Sequence, residues 1–474
     1  MQQENKKHKL LERYLNRVKF NDISVGGLIA QYYALNYMSD RYARPIFINF
    51  LIFIKYSLTL WNRNKIKPYE TDFIFTKQND RFHFNALIGP LIVHYSNNST
   101  LVSNKDYFDN DQLDIQEIQK RAISFKQTYS NYSKDASKIL STVFSVFYLM
   151  LKNRKRLKLS FAEVVYFGGS LLVQIRKASF WDHYFFIMEN KPLCLVTEHD
   201  RSNKSAPLVL AAKKHKIQTI TLIHGVLEDY SFTPFLADYI FCWGESQKSQ
   251  LIAKCVDPQR IFITGNPIFD HKLQKISCNK IPNKDINICL GISPGFNNRL
   301  LIDPLVIALE YFNNVRGILK LHPSFSKEEF KWVETVSSKI KVLTTQDISN
   351  RELFENIDLM IINDSGIANE ALAAEVPVAV FVPNEIPLLN NFQKELIFQA
   401  GCRLVEDEVG LRNIFKDILD NQLSFRNNSV QKSKGYLKYL YNSTGEESVK
   451  TMIFEIDLLS KKMIPENSSV LEME

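Results

Sequence analysis

Residues 357–383, IDLMIINDSGIANEALAAEVPVAVFVP, have the pattern of a strand, a tight loop, a helix and a second strand. The apolar runs 359–362 and 378–382 predict two buried strands, and the segment between them predicts a helix. Two strands joined in this way pair in parallel through a right-handed crossover. This stretch therefore restricts the chain to α/β architectures.

The same alternation of strands and helices occurs in two runs along the chain. Strands are predicted at residues 192–197, 219–223, 238–243, 261–264, 286–290, 315–321 and 341–345, with helices between most of them. The polar segment 271–285 separates the runs and predicts a linker. We therefore expect an α/β fold with two Rossmann-like parallel-sheet domains facing across a cleft, at residues 1–280 and 281–440. The segment 441–474 predicts a final helix that packs back on the first domain.

Extra helices are expected ahead of the first alternating run. Residues 115–157 and 161–188 have helical patterns, whereas FIFT at 73–76 and LIGPLIVH at 87–94 predict strands. The apolar stretch 45–61 is too short to span a bilayer and predicts a core helix, with an interfacial helix as the alternative. The basic run LKNRKRLKL at 151–159 predicts either a solvated helix end or a surface that faces acidic phospholipid.

Composition limits the class of protein. A length of 474 residues predicts two domains, and a net charge of +8 suits anionic ligands or an anionic membrane surface. The six cysteines include no CxxC pair, which argues against a disulfide framework or zinc site and fits a reducing compartment. No signal peptide is visible at the N-terminus. We expect a cytoplasmic protein, either free or peripheral at the inner face of the cell membrane, with no nucleic-acid partner.

Polar residues and glycines collect at the predicted carboxyl ends of the strands. Ligands of open parallel sheets bind beyond these ends. The residues in question are Glu198, His199, Asp200, His224, Gly244, Gly265, Ser293, His322, Asp364 and Ser365. This placement predicts that the chain binds a ligand at the carboxyl edges of its sheets.

The loop Asp364–Ser365–Gly366 is the first candidate for a phosphate site. The first N–H groups of the following helix suit an anion, and Ser365 can add a hydroxyl. Gly366 permits close approach of a ligand to the backbone. Glu370, one turn into the helix, could accept hydrogen bonds from two ribose hydroxyls. In the alternative, Ser365 is an ordinary N-cap and Glu370 only compensates the helix dipole.

Three other strand ends are assigned to the same ligand site. Pro323 ends the strand that carries Lys320, so His322 is expected to project where it can donate a proton to a phosphate. The alternative is a histidine that binds a loop carbonyl. Gly291 and Ser293 could let backbone amides meet a phosphate. Gly265 begins the turn GNPIFD at the last strand end of the first run.

An acceptor hydroxyl would need a general base, and three residues could supply it. Glu198 and Asp200 follow one predicted strand, and His224 follows the next. Any of the three could take the proton, and Asp200 could instead cap the following loop. The chain has no GxGxxG, Walker, HExxH or GxSxG motif, which disfavours dinucleotide oxidoreductases, P-loop enzymes, zinc proteases and α/β-hydrolases. No metal or cofactor is expected beyond the co-substrate.

The order of these motifs resembles that of GT-B type glycosyltransferases of bacterial surface polysaccharides. The resemblance covers roughly residues 192–383, with HG at 224–225, WGES at 243–246, GNPIFD at 265–270, LHP at 321–323 and DLMIINDSGIANEA at 358–371. Related groups are capsule transferases, polysialyltransferase-like enzymes and CDP-glycerol glycerophosphotransferases. In the members that use CMP or CDP, the HP histidine and a Ser-Ser/Thr pair hold the phosphate. His322 and Ser365 match these positions, whereas Gly366 departs from the second hydroxyl.

The Asp364–Ser365–Gly366 loop and Glu370 are also similar to UDP-N-acetylglucosamine 2-epimerases, in which this loop holds the diphosphate. The epimerases' H-x-E-x-G-x-R stretch is missing, because GVLEDY follows His224. The resemblance therefore implies a metal-independent transfer of a sugar from a UDP-, CMP- or CDP-linked donor to a glycan or lipid-linked acceptor. A CDP-polyol phosphotransferase and a non-catalytic glycan- or nucleotide-binding subunit are the alternatives.

Overall fold

A computed structural model describes most of the chain. The described residues are 10–28, 68–77, 82–103, 121–125, 135–225, 227, 234–267, 285–294, 297–384, 389–441 and 447–461. The chain divides into two compact units. Unit 1 comprises Met1–Trp243, Gln247–Asn266 and Val449–Glu474, and unit 2 comprises Gly244–Ser246 and Pro267–Ser448.

Unit 1 is built on a seven-stranded sheet in the order β5-β4-β3-β6-β7-β8-β9, in which every neighbouring pair is parallel. A short antiparallel pair, β1 and β2, precedes it. The strands are β1 (Lys19–Phe20), β2 (Ile23–Ser24), β3 (Phe73–Lys77), β4 (Ser99–Ser103), β5 (Ile123–Ser124), β6 (Cys194–Thr197), β7 (Gln218–Leu222), β8 (Tyr239–Cys242) and β9 (Ile261–Ile263). The winding direction of the sheet reverses between β3 and β6, which is where such sheets bind ligands.

Helices cover unit 1 between these strands. They are α1 (Phe82–His94), α2 (Ala136–Lys152), α3 (Arg154–Leu157), α4 (Phe161–Ile187), α5 (Ser205–Lys214) and α6 (Glu245–Ala253), with short 3₁₀ turns at Ser96–Asn98 and Pro258–Arg260. The longest, α4, has 27 residues and starts at a capping box, in which Ser160 and Glu163 bind each other's backbone N–H groups. The helix predicted at 161–188 is confirmed, because α4 covers all but the last of these residues.

Unit 2 contains a six-stranded parallel sheet in the order β12-β11-β10-β13-β14-β15. Its strands are β10 (Ile286–Gly291), β11 (Val315–Lys320), β12 (Ile340–Leu343), β13 (Leu359–Ile362), β14 (Val378–Phe381) and β15 (Arg403–Val405). Its helices are α7 (Arg299–Glu310), α8 (Lys331–Val336), α9 (Asn350–Asn356), α10 (Ile367–Ala373), α11 (Asn391–Phe398), α12 (Glu408–Asp420) and α13 (Gln422–Leu440), with a 3₁₀ turn at Glu328–Phe330. The winding direction reverses between β10 and β13.

The last described helix, α14 (Glu447–Lys461), packs within unit 1. Its Met452, Ile456 and Leu459 join a buried cluster with Phe73 and Phe75 of β3. The intervening Ile74 belongs to a second cluster, which contains residues of α2, α4 and α5. Successive β3 side chains therefore point to opposite faces of the sheet, as the pleat requires, and both faces are covered by helices.

The two parallel sheets confirm the predicted fold class of two Rossmann-like domains, and their arrangement across a cleft stays a prediction. The strand predicted at 87–94 is wrong, because these residues form the second half of α1 with Pro90 inside it. The helix predicted at 115–157 is wrong at β5, where Ile123 and Ser124 pair with β4. The predicted helix at 45–61 and nearly all of the predicted linker lie outside the described residues. In the described part of the chain, no helix is long and apolar enough to cross a membrane.

Candidate nucleotide-sugar site and general base

The carboxyl ends of β10 and β13 lie side by side at the point where the strand order of the unit 2 sheet reverses. Gly291, the last residue of β10, pairs with Ile362, the last residue of β13. Two residues beyond each strand, the Ser293 hydroxyl donates to the Asp364 carbonyl oxygen over 2.6 Å. A Cβ at Gly291 would lie 2.6 Å from the Met360 Cε, so a side chain there would require the end of the Met360 side chain to move. Two predicted site segments are thus joined directly.

The loop after β13 is held from its other side by two residues at the start of α11, the N-cap Asn390 and Gln393 in the first turn. Asn390 Nδ2 donates to the Asp364 carboxylate over 2.9 Å, and Gln393 Nε2 donates to the Asn363 carbonyl over 2.9 Å. Asn363 in turn donates to the Phe381 carbonyl at the end of β14. Neither Asn390 nor Gln393 was predicted from the sequence as a site residue. Their spacing of three residues, which forms a capping box at the start of α11, was the available signal.

Ser365 and Gly366 lie between this fixed loop and α10. The N-cap of α10 is Gly366, and no side chain caps the helix, so the alternative role of Ser365 as an N-cap is not observed. The Ser365 side chain is half-buried. The loop therefore places a hydroxyl next to an exposed glycine at the carboxyl edge of the sheet, where a phosphate could approach the backbone.

Glu370 lies in the first turn of α10 and is half-buried. Asn350, at the start of α9, donates to its carboxylate over 2.8 Å. The preceding residue, Asn369, is buried and accepts a hydrogen bond from the Tyr436 hydroxyl over 3.2 Å. These contacts fix the direction of the helix and of the Glu370 carboxylate, which can accept hydrogen bonds from hydroxyl groups.

Lys320 is the last residue of β11, the strand beside β10, and His322 follows two residues later. The Ser324 amide donates to His322 Nδ1 over 3.2 Å, and the Ser324 hydroxyl lies 2.8 Å from the same nitrogen. We therefore assign the proton of the neutral ring to Nε2, which makes Nε2 a hydrogen-bond donor. The Lys320 ammonium donates to the carbonyls of Thr344 and Ile348 over 2.8 and 2.9 Å. Burial lowers the pKa of Lys320, whose side chain supports the loop after β12.

In unit 1, Glu198 lies at the reversal point of the sheet, directly after β6. Its side chain is fully buried, and the Thr76 hydroxyl of β3 donates to its carboxylate over 2.8 Å. The adjacent strands β3 and β6 run in register, so Thr76 comes to lie opposite the end of β6. The Glu198 carboxylate is consequently held beside β3 and is buried.

His224, two residues after the end of β7, is held by the backbone of the neighbouring strand end. Its Nδ1 lies 2.7 Å from the Glu198 carbonyl oxygen, and an imidazole nitrogen can bind a carbonyl only as a donor. The neutral ring then carries its lone pair on Nε2, which is the nitrogen of a general base. The ring is half-buried, and the ring of His199 lies 5.8 Å from it between centroids. His199 was not assigned a role from the sequence, although it lies between two residues that were.

Trp243, the first residue of the WGES motif, and Gln247, which follows the motif, support the segment around His224. Trp243 Nε1 donates to the Ile223 carbonyl over 2.6 Å. Gln247 Nε2 donates to the Gly225 carbonyl over 3.2 Å, while its own oxygen accepts the Trp243 amide. The tryptophan and glutamine therefore fix the backbone on both sides of His224.

Asp200 has a structural environment. It is fully buried, and its Oδ2 accepts the amide hydrogens of Leu236 and Ala237 over 2.6 and 2.8 Å. Its Oδ1 has no hydrogen-bond partner in the described structure. Burial raises the pKa of Asp200 to about 6, against the opposing effect of the amides and of Arg201. This geometry agrees with the alternative that Asp200 holds the following loop.

The predicted residues thus fall into two groups. Unit 2 brings together Gly291, Ser293, Asp364, Ser365 and Gly366, with Lys320 at the end of the next strand, His322 after it and Glu370 in α10. Unit 1 brings together Glu198, Asp200 and His224. Gly265, predicted for the nucleotide-sugar site, follows β9 in unit 1 with φ of +80°, a conformation that favours glycine.

No family model matches the sequence. Three known proteins are similar to this chain in sequence or in structure. The UDP-N-acetylglucosamine 2-epimerase of Methanocaldococcus jannaschii is 23% identical over 275 residues, which cover 50% of this chain and 69% of that protein. The UDP-GlcNAc 2-epimerase from Neisseria meningitidis, bound to UDP-GlcNAc, aligns with a TM-score of 0.49 at 14% identity, over 81% of this chain and 99% of the other. The lipopolysaccharide outer core galactosyltransferase WaaB aligns with a TM-score of 0.43 at 11% identity, over 82% and 99%.

Proposed function

We propose that the protein is an enzyme that acts on a nucleotide sugar, and that it transfers the sugar to a glycan or lipid-linked acceptor. The observation that carries this proposal is the fixed loop at the reversal point of unit 2. There the bonds of Ser293 and Asn390 to Asp364 hold Ser365 and Gly366 at the carboxyl edge. Ligands of doubly wound sheets bind at this position.

In this proposal unit 2 binds the donor. The Ser365 hydroxyl and the amides beside Gly366 bind the phosphates, and His322 donates from Nε2 to a phosphate oxygen. Glu370 accepts hydrogen bonds from the ribose hydroxyls. Donors that are already oriented stabilise the charge that develops on the leaving nucleotide phosphate without reorganisation, which lowers the barrier to transfer.

Unit 1 supplies the base, which we assign to His224. Its Nε2 takes the proton of the acceptor hydroxyl as the hydroxyl oxygen bonds to the anomeric carbon, and the bond from that carbon to the phosphate breaks. The Glu198 carbonyl oxygen fixes the required tautomer. The side chains of Glu198 and Asp200 are both fully buried, which favours His224 over either carboxylate as the group that meets an acceptor.

A second candidate is an epimerase that acts on UDP-N-acetylglucosamine. The relative in Methanocaldococcus jannaschii bears that name, and this chain matches 69% of its length. The Ser-Gly loop suits this function as well. The sequence GVLEDY after His224 favours transfer, because the epimerases' stretch is missing there.

One assay separates the two functions. The full-length protein is incubated with UDP-N-acetylglucosamine in D₂O without an acceptor, and the sugar is followed by NMR. The proposed transferase leaves the C2 configuration intact and releases nucleotide from a panel of UDP-, CMP- and CDP-linked sugars only when a glycan or lipid-linked acceptor is added. Inversion and deuteration at C2 without an acceptor would establish the epimerase instead. Neither release nor inversion with any donor or acceptor would overturn both.

A further inference from the structure

Helix α2 of unit 1 has an apolar face on each side. Its inner face is buried in the core through Ile139, Val143, Val146 and Met150. On the outer face, Phe144, Tyr148 and Leu151 are 58%, 61% and 36% exposed. Spacings of four and three residues place these three side chains on one stripe of the helix. Large side chains of this kind, exposed together, mark an interaction surface.

The packing of α2 fixes which stripe faces outward. Phe147 packs against α4, where a Cβ at Gly168 would lie 3.1 Å from its ring. At the end of α2, Asn153 Nδ2 donates to the Leu149 carbonyl over 2.9 Å and to the Tyr14 hydroxyl over 2.6 Å. These contacts fix the orientation of α2 about its own axis. Turning the helix to bury Phe144, Tyr148 and Leu151 would expose the inner face instead.

The charged side chains of α2 and of the segment that follows it are all basic. Residues 136–162 contain no Asp or Glu. Their cations, all exposed, are Lys138, Lys152, Arg154, Lys155, Arg156 and Lys158. The cluster after α2 is ordered, because Leu157 and Leu159 are buried on either side of Lys158, which closes the turn with φ of +55°. Exposed Phe161 follows at the start of α4.

We propose that this surface, formed by the outer stripe of α2 and the cations at 152–158, binds the surface of an anionic phospholipid bilayer. Phe144, Tyr148 and Leu151 would enter the boundary between headgroups and acyl chains, as the apolar faces of interfacial helices do. The arginines and lysines would bind lipid phosphates. A nucleic acid could bind the cations, but it would leave Leu151, the aliphatic residue of the stripe, without an apolar contact.

The test is cosedimentation of the full-length protein with vesicles of phosphatidylcholine alone and with phosphatidylglycerol added. The variant Phe144→Ser/Tyr148→Ser removes the stripe and keeps the charge. The variant Arg154→Glu/Lys155→Glu/Arg156→Glu reverses the charge and keeps the stripe. Each has a matched control on unit 2: Phe398→Ser, at a side chain 74% exposed, and Lys416→Glu/Lys434→Glu/Lys438→Glu, which changes the net charge equally. Thermal melts confirm that every variant is folded.

We expect wild-type protein to bind anionic vesicles and to bind neutral vesicles at least about tenfold more weakly. Each test variant should lose about tenfold in affinity for anionic vesicles, and both controls should bind like the wild type. Equal losses in the control variants would overturn the proposal, since the effect would then come from net charge or from exposed apolar surface anywhere on the protein. It would also be overturned if the stripe variant bound vesicles normally while an RNA oligonucleotide bound the wild type as tightly. The result does not depend on the proposed function, which is tested without vesicles.

Discussion

Ser293 donates its hydroxyl hydrogen to the carbonyl oxygen of Asp364 across 2.6 Å, although 71 positions separate the two residues in the chain. The bond joins the segments that follow β10 and β13. The strand order of the unit 2 sheet reverses between these two strands. Since Asp364 immediately precedes Ser365 and Gly366, the bond fixes the backbone that we propose binds the donor phosphates.

Replacing Ser293 with alanine should weaken nucleotide binding. The loss of one neutral hydrogen bond is worth about 0.5–1.5 kcal/mol, so affinity should fall about two- to twelvefold. Calorimetric titration of the best-binding nucleotide measures the change. Ser293→Thr, which keeps the hydroxyl, serves as the control and should bind within a factor of about three of wild type. Equal affinity in Ser293→Ala and wild type would show that the loop is held without this bond.

Replacing His224 with alanine should lower turnover by roughly two to four orders of magnitude, the usual contribution of a general base. Nucleotide affinity should not change, because His224 belongs to unit 1. Glu198→Gln and Asp200→Asn, at fully buried side chains, should affect the rate less. Steady-state kinetics with the acceptor identified in the panel provides the comparison. If His224→Ala retained a normal rate while one of the carboxylate variants lost it, the base would be that carboxylate.

The stability of the protein should depend on pH through Asp200. Burial raises the pKa of Asp200 to about 6 from 3.8, so the folded state binds this proton more tightly than the unfolded state does. Its stabilising contribution is present below about pH 4 and is lost as the pH rises through about 6. Relative to Asp200→Asn, wild type should lose about 2 kcal/mol of unfolding free energy between pH 4 and pH 7. Urea denaturation of both proteins at these pH values tests this, and a constant difference between them would refute it.

Two glycines of unit 2 should respond to alanine in opposite directions. A Cβ at Gly244 would lie 2.7 Å from the Leu440 carbonyl carbon, which is backbone and cannot move aside cheaply. Gly244→Ala should therefore destabilise the protein by about 1–3 kcal/mol. At Gly435, inside α13, a Cβ would meet nothing within 4 Å, so alanine should stabilise by about 0.5–1 kcal/mol. Thermal melts of the two variants give the comparison, and a destabilised Gly435→Ala would contradict it.

Much of the fold was predictable because buried parallel strands read as continuous apolar runs between turn residues. The runs at 359–362 and 378–382 became β13 and β14. The run at 87–94 has similar composition but belongs to α1, because a short apolar run has no period that separates a buried strand from a buried helix. Strand β4, Ser99–Ser103, was missed because its polar ends resemble a loop, whereas the structure buries all five of its residues beside β3.

The candidate site was predictable only as far as the ends of strands. Ser293 and Asp364 could be placed at one sheet edge because parallel strands end together. The hydrogen bond between Asn390 and Asp364 could not be predicted, because it depends on where the chain turns after β14. The sequence also could not choose among Glu198, Asp200 and His224, since the choice depends on which side chain is buried and which tautomer a neighbouring carbonyl imposes.

Calorimetric titration of UDP, CMP, CDP and GDP, and of their sugars, into the full-length protein and its Ser365→Ala and His322→Ala variants tests the central claim most directly. We predict that at least one nucleotide binds the wild type and that each variant loses about 1–3 kcal/mol of its binding free energy, the value of a hydrogen bond to a charged group. Folding should be unchanged, because both side chains lie in loops at strand ends. Binding of no nucleotide by the wild type, or unchanged affinity in both variants, would contradict the account.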